Sequence, residues 1–410
     1  MLDDIRLLSQ KLIELRFQSY QRYFLKTHPL EHRFSIILGD RGIGKTTTLI
    51  QYLMQYAQGD SASPKILYIP SDHIVIGALS LYEIAEEFFK LGGELIAFDE
   101  IHQYTNWSME LKSITDTFPT LKVIASGSSA LEIHKGSHDL SRRALVYQMV
   151  GMSFREYLEM SLGIDLPAVS LNQLFLEHSS IAKKIIKKVE SFHHKILALF
   201  QSYLQQGYYP YHTEYPSQIG FSMTLEQNIH TTIESDLAAV HPELTGNSIK
   251  KIKQLISYIA GEVPFIPAWG KIKNIIDVSD NRTLRTYFKY LEDAALIRLL
   301  SRNTGKLSEI EDVEKVYLSN TNQLYAFAIK PPNIGTVRET FFLSQLAQKH
   351  VVSAPKNGDF KIDDQFVVEI GGRKKGFEQI KNYVDSYLAL DHIEIGVGRK
   401  IPLWLFGCLY

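Results

Sequence analysis

One short stretch, Phe34 to Thr47, limits what this chain can fold into more than any other. An apolar run to Leu38 is followed at once by GDRGIGKT, which fits G-x-x-x-x-G-K-[ST] at every position. Glycines let the backbone curl so that its N–H groups point at a β-phosphate. Lys45 can then reach the β- and γ-phosphates, and the Thr46 hydroxyl can ligate Mg²⁺. The pattern therefore predicts a phosphate-binding loop.

The residues after the loop have apolar positions at helical spacing up to Ala57. This spacing predicts a helix that begins at the loop and directs its positive end at the anion. A strand before and a helix after are the context that the motif requires, and they argue against a chance glycine-rich turn. The residues expected to bind the nucleotide are Gly39, Asp40, Arg41, Gly42, Ile43, Gly44, Lys45, Thr46 and Thr47.

Composition bounds the rest of the molecule. At 410 residues and 45% apolar content, we expect two or three globular domains. A net charge of −1 gives no global attraction to nucleic acid or to an acidic membrane. The single cysteine, Cys408, excludes an intramolecular disulfide and is typical of a reducing cytoplasm. With no apolar run approaching 18 residues and no signal-peptide pattern, we expect a cytoplasmic protein without a membrane span.

A second motif follows about 50 positions later. Glu94 to Glu100, ELIAFDE, is an apolar run that ends in two carboxylates, which is typical of a buried strand. Such a strand would deliver Asp99 to the magnesium shell, and Glu100 could polarise the attacking water. An acidic loop after a strand is the alternative, and the phosphate loop upstream argues against it.

Two further candidates for catalysis come from less specific patterns. The apolar run Leu121 to Ala125 predicts a strand beside the one that carries Asp99, and hydroxyls follow it. Ser128 is the first candidate for a γ-phosphate sensor and Ser126 the second, while Ser128 could equally cap a helix. Of the arginine pair at 142 and 143, either residue could stabilise transition-state charge, in the same chain or across a subunit interface.

Several stretches resemble a large bacterial and archaeal group of AAA-type ATPases with a C-terminal domain of unknown function. They are the phosphate loop, FDEIHQYTNW, LKVIASGSSAL, SRRALVYQMVGMSFREYL and QGYYP. The resemblance implies that the chain binds ATP, rather than GTP, together with Mg²⁺. It is also compatible with a homo-oligomer. It selects Arg143 as the matching arginine, although the family has glycine where this chain has Arg142. No Asn-Lys-x-Asp motif for guanine is present.

The sequence predicts an α/β fold: an AAA-type P-loop NTPase domain with a parallel sheet, a winged-helix domain and a C-terminal α/β nuclease-like domain. The predicted segments are 1–160 for the ATPase domain, 161–250 for a helical linker or lid, 251–325 for the winged helix and 326–410 for the nuclease-like domain. In 251–325, helical patterns at 251–260, 272–276 and 280–292 precede apolar strands at 296–300 and 315–318. The third helix would turn Asn281, Arg282, Arg285 and Lys289 outward, where they could contact DNA. A packing module without DNA is the alternative.

The last segment contains two alternating runs that pair across a short connection. Phe360 should face Val368 and Ile362 should face Phe366, which brings Asp359 opposite Glu369 on the other face. With Glu339 on a preceding helix, these carboxylates resemble the cluster of restriction-endonuclease-like folds, which the C-terminal domain of this family is thought to resemble.

The lysine two positions after the second acidic residue of those nucleases is missing, since Gly371 stands there. Lys374 or Lys375 could replace it only by reaching back, so we expect little or no nuclease activity. A vestigial cation site or a solvated acidic face are the alternatives. The apolar C-terminus, IPLWLFGCLY, predicts a buried final strand.

The predicted function is Mg²⁺-dependent ATP hydrolysis coupled to movement of the C-terminal domains, with DNA as a candidate partner. The competing hypothesis is a nucleotide-dependent switch or scaffold that turns over slowly and binds a protein partner. The sequence does not distinguish the two.

Overall fold

The phosphate loop follows an interior strand of a five-stranded sheet. The structure is a computed structural model, and it describes residues 2–77, 79–128, 140, 142–302, 313–328 and 330–410. The strands run in the order β2-β3-β4-β1-β5 and are all parallel. They are β1 (Phe34–Gly39), β2 (Ile66–Pro70), β3 (Leu95–Asp99), β4 (Lys122–Ser128) and β5 (Leu145–Gln148). Because neighbouring parallel strands end at one edge, the loop after β1 and the carboxylates after β3 meet there, with the end of β4 between them.

The central strands are buried along nearly their whole length because helices cover both faces of a parallel sheet. The helices here are α1 (Leu2–Arg16), α2 (Tyr23–Thr27), α3 (Lys45–Tyr56), α4 (Leu81–Lys90) and α5 (Trp107–Thr117). One hydrophobic core joins α1, α4 and α5 to the strands and includes Phe34, Phe88, Phe98 and Ile114. The strand before the loop and the helix after it therefore form as predicted.

The chain divides into two compact units. Unit 1 consists of Met1–Val150 and Thr231–Leu244, and unit 2 of Gly151–His230 and Thr245–Tyr410. This division differs from the four predicted segments in two respects. A short stretch of the predicted linker belongs with the phosphate loop, and the segments predicted to be separate C-terminal domains share one unit.

Unit 2 contains a second five-stranded sheet, in the order β12-β11-β10-β9-β8. Its strands are β8 (Val352–Ser353), β9 (Phe360–Ile362), β10 (Phe366–Gly371), β11 (Ser386–Leu390) and β12 (Lys400–Pro402). Strands β8, β9 and β10 pair antiparallel, and β10, β11 and β12 pair parallel. The pairs Ile362–Phe366 and Phe360–Val368 are formed, so the predicted register is present. The turn between these strands is too short to allow another phase that buries the same apolar face.

The predicted winged-helix segment has three helices followed by an antiparallel pair. These elements are Gly246–Glu262, Trp269–Ile276, Asn281–Asp293, β6 (Ile297–Ser301) and β7 (Val313–Leu318). The helix Asn281–Asp293 buries Leu284, Phe288 and Leu291, as its spacing predicts. The other α-helices described in unit 2 are Phe154–Leu162, Leu171–Glu190, Ile196–Ser202, Gln218–Thr231, Thr321–Phe327 and Ile334–Leu346, and the first four of these precede residue 232.

The C-terminus departs from the prediction. Strand β12 stops at Pro402, and Leu403–Cys408 forms a 3₁₀ helix rather than a continued strand. Every residue of this helix is buried. A segment buried on all sides has no alternating pattern to favour a strand, so periodicity could not distinguish the two. Within the described residues, no helix combines the length and the apolar character needed to span a bilayer.

Candidate functional site

The loop between β1 and α3 has the backbone shape that phosphate binding needs. Gly42 and Gly44 have φ values of +81° and +98°, in the region that disfavours side chains. A Cβ on Gly39 would lie 2.4 Å from the Met149 carbonyl oxygen, so only glycine fits at that end of the strand. Helix α3 begins at Lys45 with no side-chain cap. Its first-turn N–H groups, which have no intrahelical partner, are therefore open to an anion.

Lys45 is held inside the loop. Its side chain is 3% exposed, and Nζ donates to the carbonyl oxygens of Gly39 and Asp40, each at 2.9 Å. The Nζ atom also lies 3.9 Å from Glu100 Oε1. These contacts fix the ammonium group at the centre of the loop, where it faces both the backbone carbonyls and the carboxylate after β3.

The Asp99 carboxylate is enclosed, at 2% exposure. Thr46 Oγ1 and Tyr68 OH each donate to its Oδ2 at 2.7 Å, and Ser126 Oγ donates to Oδ1. Burial, and then the Asp99 charge, raise the pKa of Tyr68, which keeps the phenol protonated as a donor. The predicted proximity of Thr46 and Asp99 is thus present in the structure.

Glu100 has a left-handed backbone, with φ +50°, which is unusual for a non-glycine residue. Its N–H donates to Ser126 Oγ at 3.0 Å. Its side chain is 24% exposed, with Oε1 toward Lys45 and Oε2 at 3.6 Å from His102 Nδ1. The site thus holds one enclosed carboxylate and one accessible carboxylate in adjacent positions.

The two candidate serines on β4 have different neighbours. The register of β3 and β4 pairs Phe98 with Ala125, so the next residue, Ser126, is level with Asp99 and bridges both carboxyl residues. Ser128 is level with Gly39, and its N–H donates to His102 Nδ1 at 3.3 Å. The second candidate is therefore the one that contacts the acidic pair. The helix-cap alternative for Ser128 concerns residues 129–139, which lie outside the described residues.

Arg143 lies at the other end of the sheet. In β5, Leu145 pairs with Ser35 of β1. Continuing this register back by two residues places Arg143 level with Arg33, which lies just before β1 and six residues before Gly39. At about 3.3 Å per residue, this places Arg143 roughly 20 Å from the loop. Its Nε is 2.7 Å from Asp116 Oδ1 at the end of α5. This position argues against a role at the phosphates of its own chain. Arg142 is exposed.

Sequence reasoning missed a group of residues around Asp236. This carboxylate is 2% exposed and lies in a π-helical turn, Thr232–Asp236. Arg41 Nη2 is 2.9 Å from its Oδ1, Gln103 Nε2 is 3.1 Å away and His102 Nε2 is 3.4 Å away. Burial by itself would raise the pKa of Asp236, but the hydrogen bond to His102 and the charge of Arg41 hold the pKa below its usual value. No motif marks Asp236, since it follows an ordinary helical stretch.

The residues present fit MgATP. Open N–H groups and an enclosed ammonium suit phosphates, while the Thr46 hydroxyl beside the Asp99 carboxylate supplies the oxygen donors that Mg²⁺ prefers. No cluster of three or more His, Cys, Asp or Glu side chains able to hold a metal occurs in the described part of the chain.

Comparison with known proteins gives two family matches. Residues 31–158 match a family described as an AAA domain, and residues 197–330 match a domain of unknown function, DUF8612. A curated relative, the uncharacterised protein MJ1637 of Methanocaldococcus jannaschii, is 31% identical over 163 residues. That stretch is 38% of this chain and 34% of the relative, so the match spans about a third of the relative's length.

Among the solved structures that this chain matches is the Walker-type ATPase PABY2304 of Pyrococcus abyssi. It is 12% identical, with a TM-score of 0.37, and the match covers 74% of this chain and 93% of that one. AMPPCP-bound DnaA from Aquifex aeolicus is 14% identical with a TM-score of 0.28, covering 66% of this chain and 87% of that one.

A second carboxylate cluster occurs in unit 2, where the strand register predicts it. Asp359 and Glu369 lie beside Glu339 of the helix Ile334–Leu346. Lys315 Nζ is 3.3 Å from Glu339 Oε2 and 3.9 Å from Asp359 Oδ1. The Ile370 N–H donates to Asp359 Oδ2 at 2.8 Å. Burial, and then the charge of Glu339, raise the pKa of Asp359 to about 6.

Lys375 reaches back to this cluster and forms an ion pair with Glu369 Oε1. Gly371 makes room for it, because a Cβ at that position would lie 2.6 Å from the Lys375 Cβ. Of the two lysines considered from sequence, the structure thus brings Lys375 to the cluster. The ammonium neutralises a carboxylate that is 1% exposed.

The raised pKa of Asp359 predicts how the free energy of unfolding depends on pH. Below about pH 4 Asp359 is protonated in both the folded and the unfolded chain. Between about pH 4 and 6 only the folded chain keeps the proton. The free energy of unfolding therefore falls as the pH rises through this window. Asp359→Asn removes that loss and retains an acceptor for the Ile370 N–H. We therefore expect the variant to gain stability relative to wild type between pH 4.5 and 7.5, by roughly 2 to 3 kcal/mol.

Urea unfolding of the full chain, followed by a probe in unit 2, measures this difference. Asp385→Asn is the matched control at an exposed position, and its effect should not change with pH in this way. A stability difference between wild type and Asp359→Asn that is constant over the range would contradict the prediction.

Proposed function

We propose that this chain, whose residues 31–158 form an AAA-type P-loop ATPase domain, hydrolyses MgATP and uses the cycle to change the conformation of its C-terminal region. The observation that carries the proposal is the convergence of Lys45, Thr46, Asp99 and Glu100 at one edge of the parallel sheet. Each is of the residue type that phosphoryl transfer requires at that place.

Each residue is assigned one role. The loop from Gly39 to Thr47 binds the phosphates through its N–H groups, and Lys45 neutralises charge on the β- and γ-phosphates. Thr46 and Asp99 would hold Mg²⁺, which supplies neutralisation of the phosphate oxygens. Glu100 orients the attacking water and accepts its proton as the bond to the γ-phosphorus forms and ADP leaves. Serine at 128 or 126 senses the γ-phosphate, and the contacts of Ser126 with both carboxyl residues favour Ser126.

The first test separates binding from chemistry. Lys45→Ala removes the charge that faces the phosphates and should abolish measurable ATP binding. Glu100→Gln keeps the shape of the side chain but not its basicity, so we expect normal binding with turnover reduced by roughly 100-fold or more. Binding is measured with a fluorescent ATP analogue and turnover by phosphate release.

A matched control is Lys65→Ala, since Lys65 is an exposed lysine of the same unit that pairs with Glu94. It should bind and hydrolyse ATP as wild type does. Equal nucleotide affinity in wild type and Lys45→Ala would refute the site assignment.

We assign Arg143 a role at the nucleotide site of a neighbouring subunit in a homo-oligomer, where it would stabilise transition-state charge. Its distance from the loop of its own chain supports that assignment. Arg143→Ala should therefore bind ATP normally but hydrolyse it slowly. Mixing it with Glu100→Gln should restore part of the activity, because some interfaces then combine an intact glutamate with an intact arginine.

Arg142→Ala, the exposed neighbour, is the control and should hydrolyse ATP as wild type does. If mixing restores nothing while both variants assemble as wild type does, Arg143 has no role across the interface.

DNA is the macromolecular partner that we propose for unit 2. The segment 246–302 has an excess of basic residues, which favours phosphate contact. The basic residues are Lys250, Lys251, Lys253, Lys271, Lys273, Arg282, Arg285, Lys289, Arg298 and Arg302, and the acidic ones are Glu262, Asp277, Asp280, Glu292 and Asp293. Helices in the order expected of a winged helix support the proposal, and the match to a domain of unknown function neither adds to it nor weakens it.

The four residues predicted on the outer face of the third helix are not equivalent. Arg282 is exposed, whereas the Arg285 guanidinium lies over the Trp269 ring at 5.3 Å and Lys289 pairs with Asp293 at 2.8 Å. Arg282 is therefore the best placed of them for a phosphate. We also propose that the Asp359–Glu369 cluster cleaves DNA little or not at all, because Lys375 and Lys315 already neutralise its carboxylates.

Turnover with and without duplex DNA tests this partner. We expect DNA to stimulate ATP hydrolysis by wild type, and Arg282→Ala to weaken DNA binding and lower its salt slope by about one. Lys183→Ala, on the exposed face of the helix Leu171–Glu190, is the control for a generic loss of charge. The duplex should remain uncut in Mg²⁺. Slow turnover that no DNA changes, with no binding at low salt, would favour the switch hypothesis instead.

A further inference from the structure

The segment Thr231–Leu244 is separated from the phosphate loop by most of the chain. It nevertheless belongs to unit 1, while the residues on both sides of it belong to unit 2. Within this segment the helix opens into a π-helical turn, Thr232–Asp236. Such turns are rare and occur frequently at functional sites, because the wider turn redirects a side chain. Here it directs Asp236 inward.

Three side chains converge on one carboxylate oxygen of Asp236. Arg41, Gln103 and His102 place a nitrogen 2.9, 3.1 and 3.4 Å from Oδ1. The contact with Arg41 joins residues 195 positions apart. A carboxylate that is 2% exposed is stable only with such partners, so the arrangement is specified rather than incidental.

Each charged or titratable partner is also part of the nucleotide site. Arg41 lies in the phosphate loop itself, between Gly39 and Gly44. The His102 side chain is 0% exposed, and its ring extends from Asp236 at Nε2 to Glu100 at Nδ1, with Nδ1 also accepting from the Ser128 N–H at 3.3 Å.

We propose that Asp236 is a positioning residue of the ATPase site, which holds Arg41 in the phosphate loop and orients the His102 ring, which accepts from the Ser128 N–H and packs beside the carboxylate of Glu100. The inference rests on the proposed ATP hydrolysis. The His102 ring limits the space open to the Glu100 side chain, whose left-handed backbone, at φ +50°, is unfavourable for a residue with a side chain. Asp236 itself contacts neither carboxyl residue of the acidic pair in the described structure, so its effect on the reaction passes through its partners.

This role predicts a specific kinetic pattern. Asp236→Asn keeps the size of the side chain but removes the charge that holds His102 and Arg41. We expect ATP turnover to fall roughly 10- to 100-fold, which is the scale of a small misplacement of a reacting group. The KM for ATP should change about twofold or less, because Lys45 and the loop N–H groups still bind the phosphates.

A double-mutant cycle distinguishes positioning from general loss of structure. His102→Gln should lower kcat by a similar factor, and the double variant Asp236→Asn/His102→Gln should be no slower than the more affected single variant, because both substitutions break one chain of contacts. Glu243→Gln is the control: its exposed carboxylate is in the same segment, and kcat should be unchanged. If Asp236→Asn does not fold, Asp236→Glu, which retains the charge, should fold and keep a kcat between wild type and His102→Gln.

The outcomes separate this inference from the proposed function. Suppose that wild type hydrolyses ATP, but the effects of the two substitutions on kcat add, or Asp236→Asn changes only the KM. Either result overturns the positioning role alone. Wild-type turnover no greater than that of Glu100→Gln overturns the proposed hydrolysis and this inference with it. If both single variants lower kcat at nearly constant KM and the double variant is no slower than the more affected single variant, the proposed hydrolysis and the positioning role are both supported.

Discussion

The site in unit 1 depends on one buried carboxylate whose hydrogen-bond partners are hydroxyls. Asp99 lies at the end of β3, at 2% exposure, and accepts from Thr46, Tyr68 and Ser126. These three residues belong to α3, β2 and β4, so the carboxylate joins the phosphate loop to two other strands. A buried carboxylate is expensive unless its acceptor positions are filled, and filling them fixes the relative positions of these elements at the carboxyl edge of the sheet. The position of the loop therefore follows from the position of Asp99.

Much of this arrangement could be predicted because its signals are local. The phosphate loop and the pair Asp99-Glu100 are contiguous motifs, each preceded by an apolar strand, and parallel strands must bring their ends together. The pairing of β9 with β10 was equally accessible, since a short turn and an alternating apolar face leave one register. In both cases the sequence contains the constraint within about ten residues.

The parts that could not be predicted depend on contacts between distant segments or on the length of a strand. Asp236 is 195 positions from Arg41, in a helical stretch whose wider turn has no signature in the periodicity. The choice between Ser126 and Ser128 depended on the register of β4 against β3, and that strand extends three residues beyond the apolar run that marked it. Lys375 is likewise placed by the room that Gly371 leaves, which is a property of packing and not of spacing.

The two carboxylate clusters differ in how their charge is balanced, and this difference bears on what each can do. In unit 2, Lys375 pairs with Glu369, Lys315 lies beside Glu339 and Asp359, and the pKa of Asp359 is raised to about 6. Ammonium groups and a bound proton can therefore neutralise that cluster without any metal. In unit 1 the partners of Asp99 are neutral hydroxyls, which satisfy its acceptor positions but leave its negative charge in place. A buried charge that its neighbours solvate without cancelling is suited to a cation that arrives with the substrate. The same residue types thus form a self-neutralised cluster in one unit and, in the other, a carboxylate whose described partners are uncharged, as the Mg²⁺ of the proposed function requires.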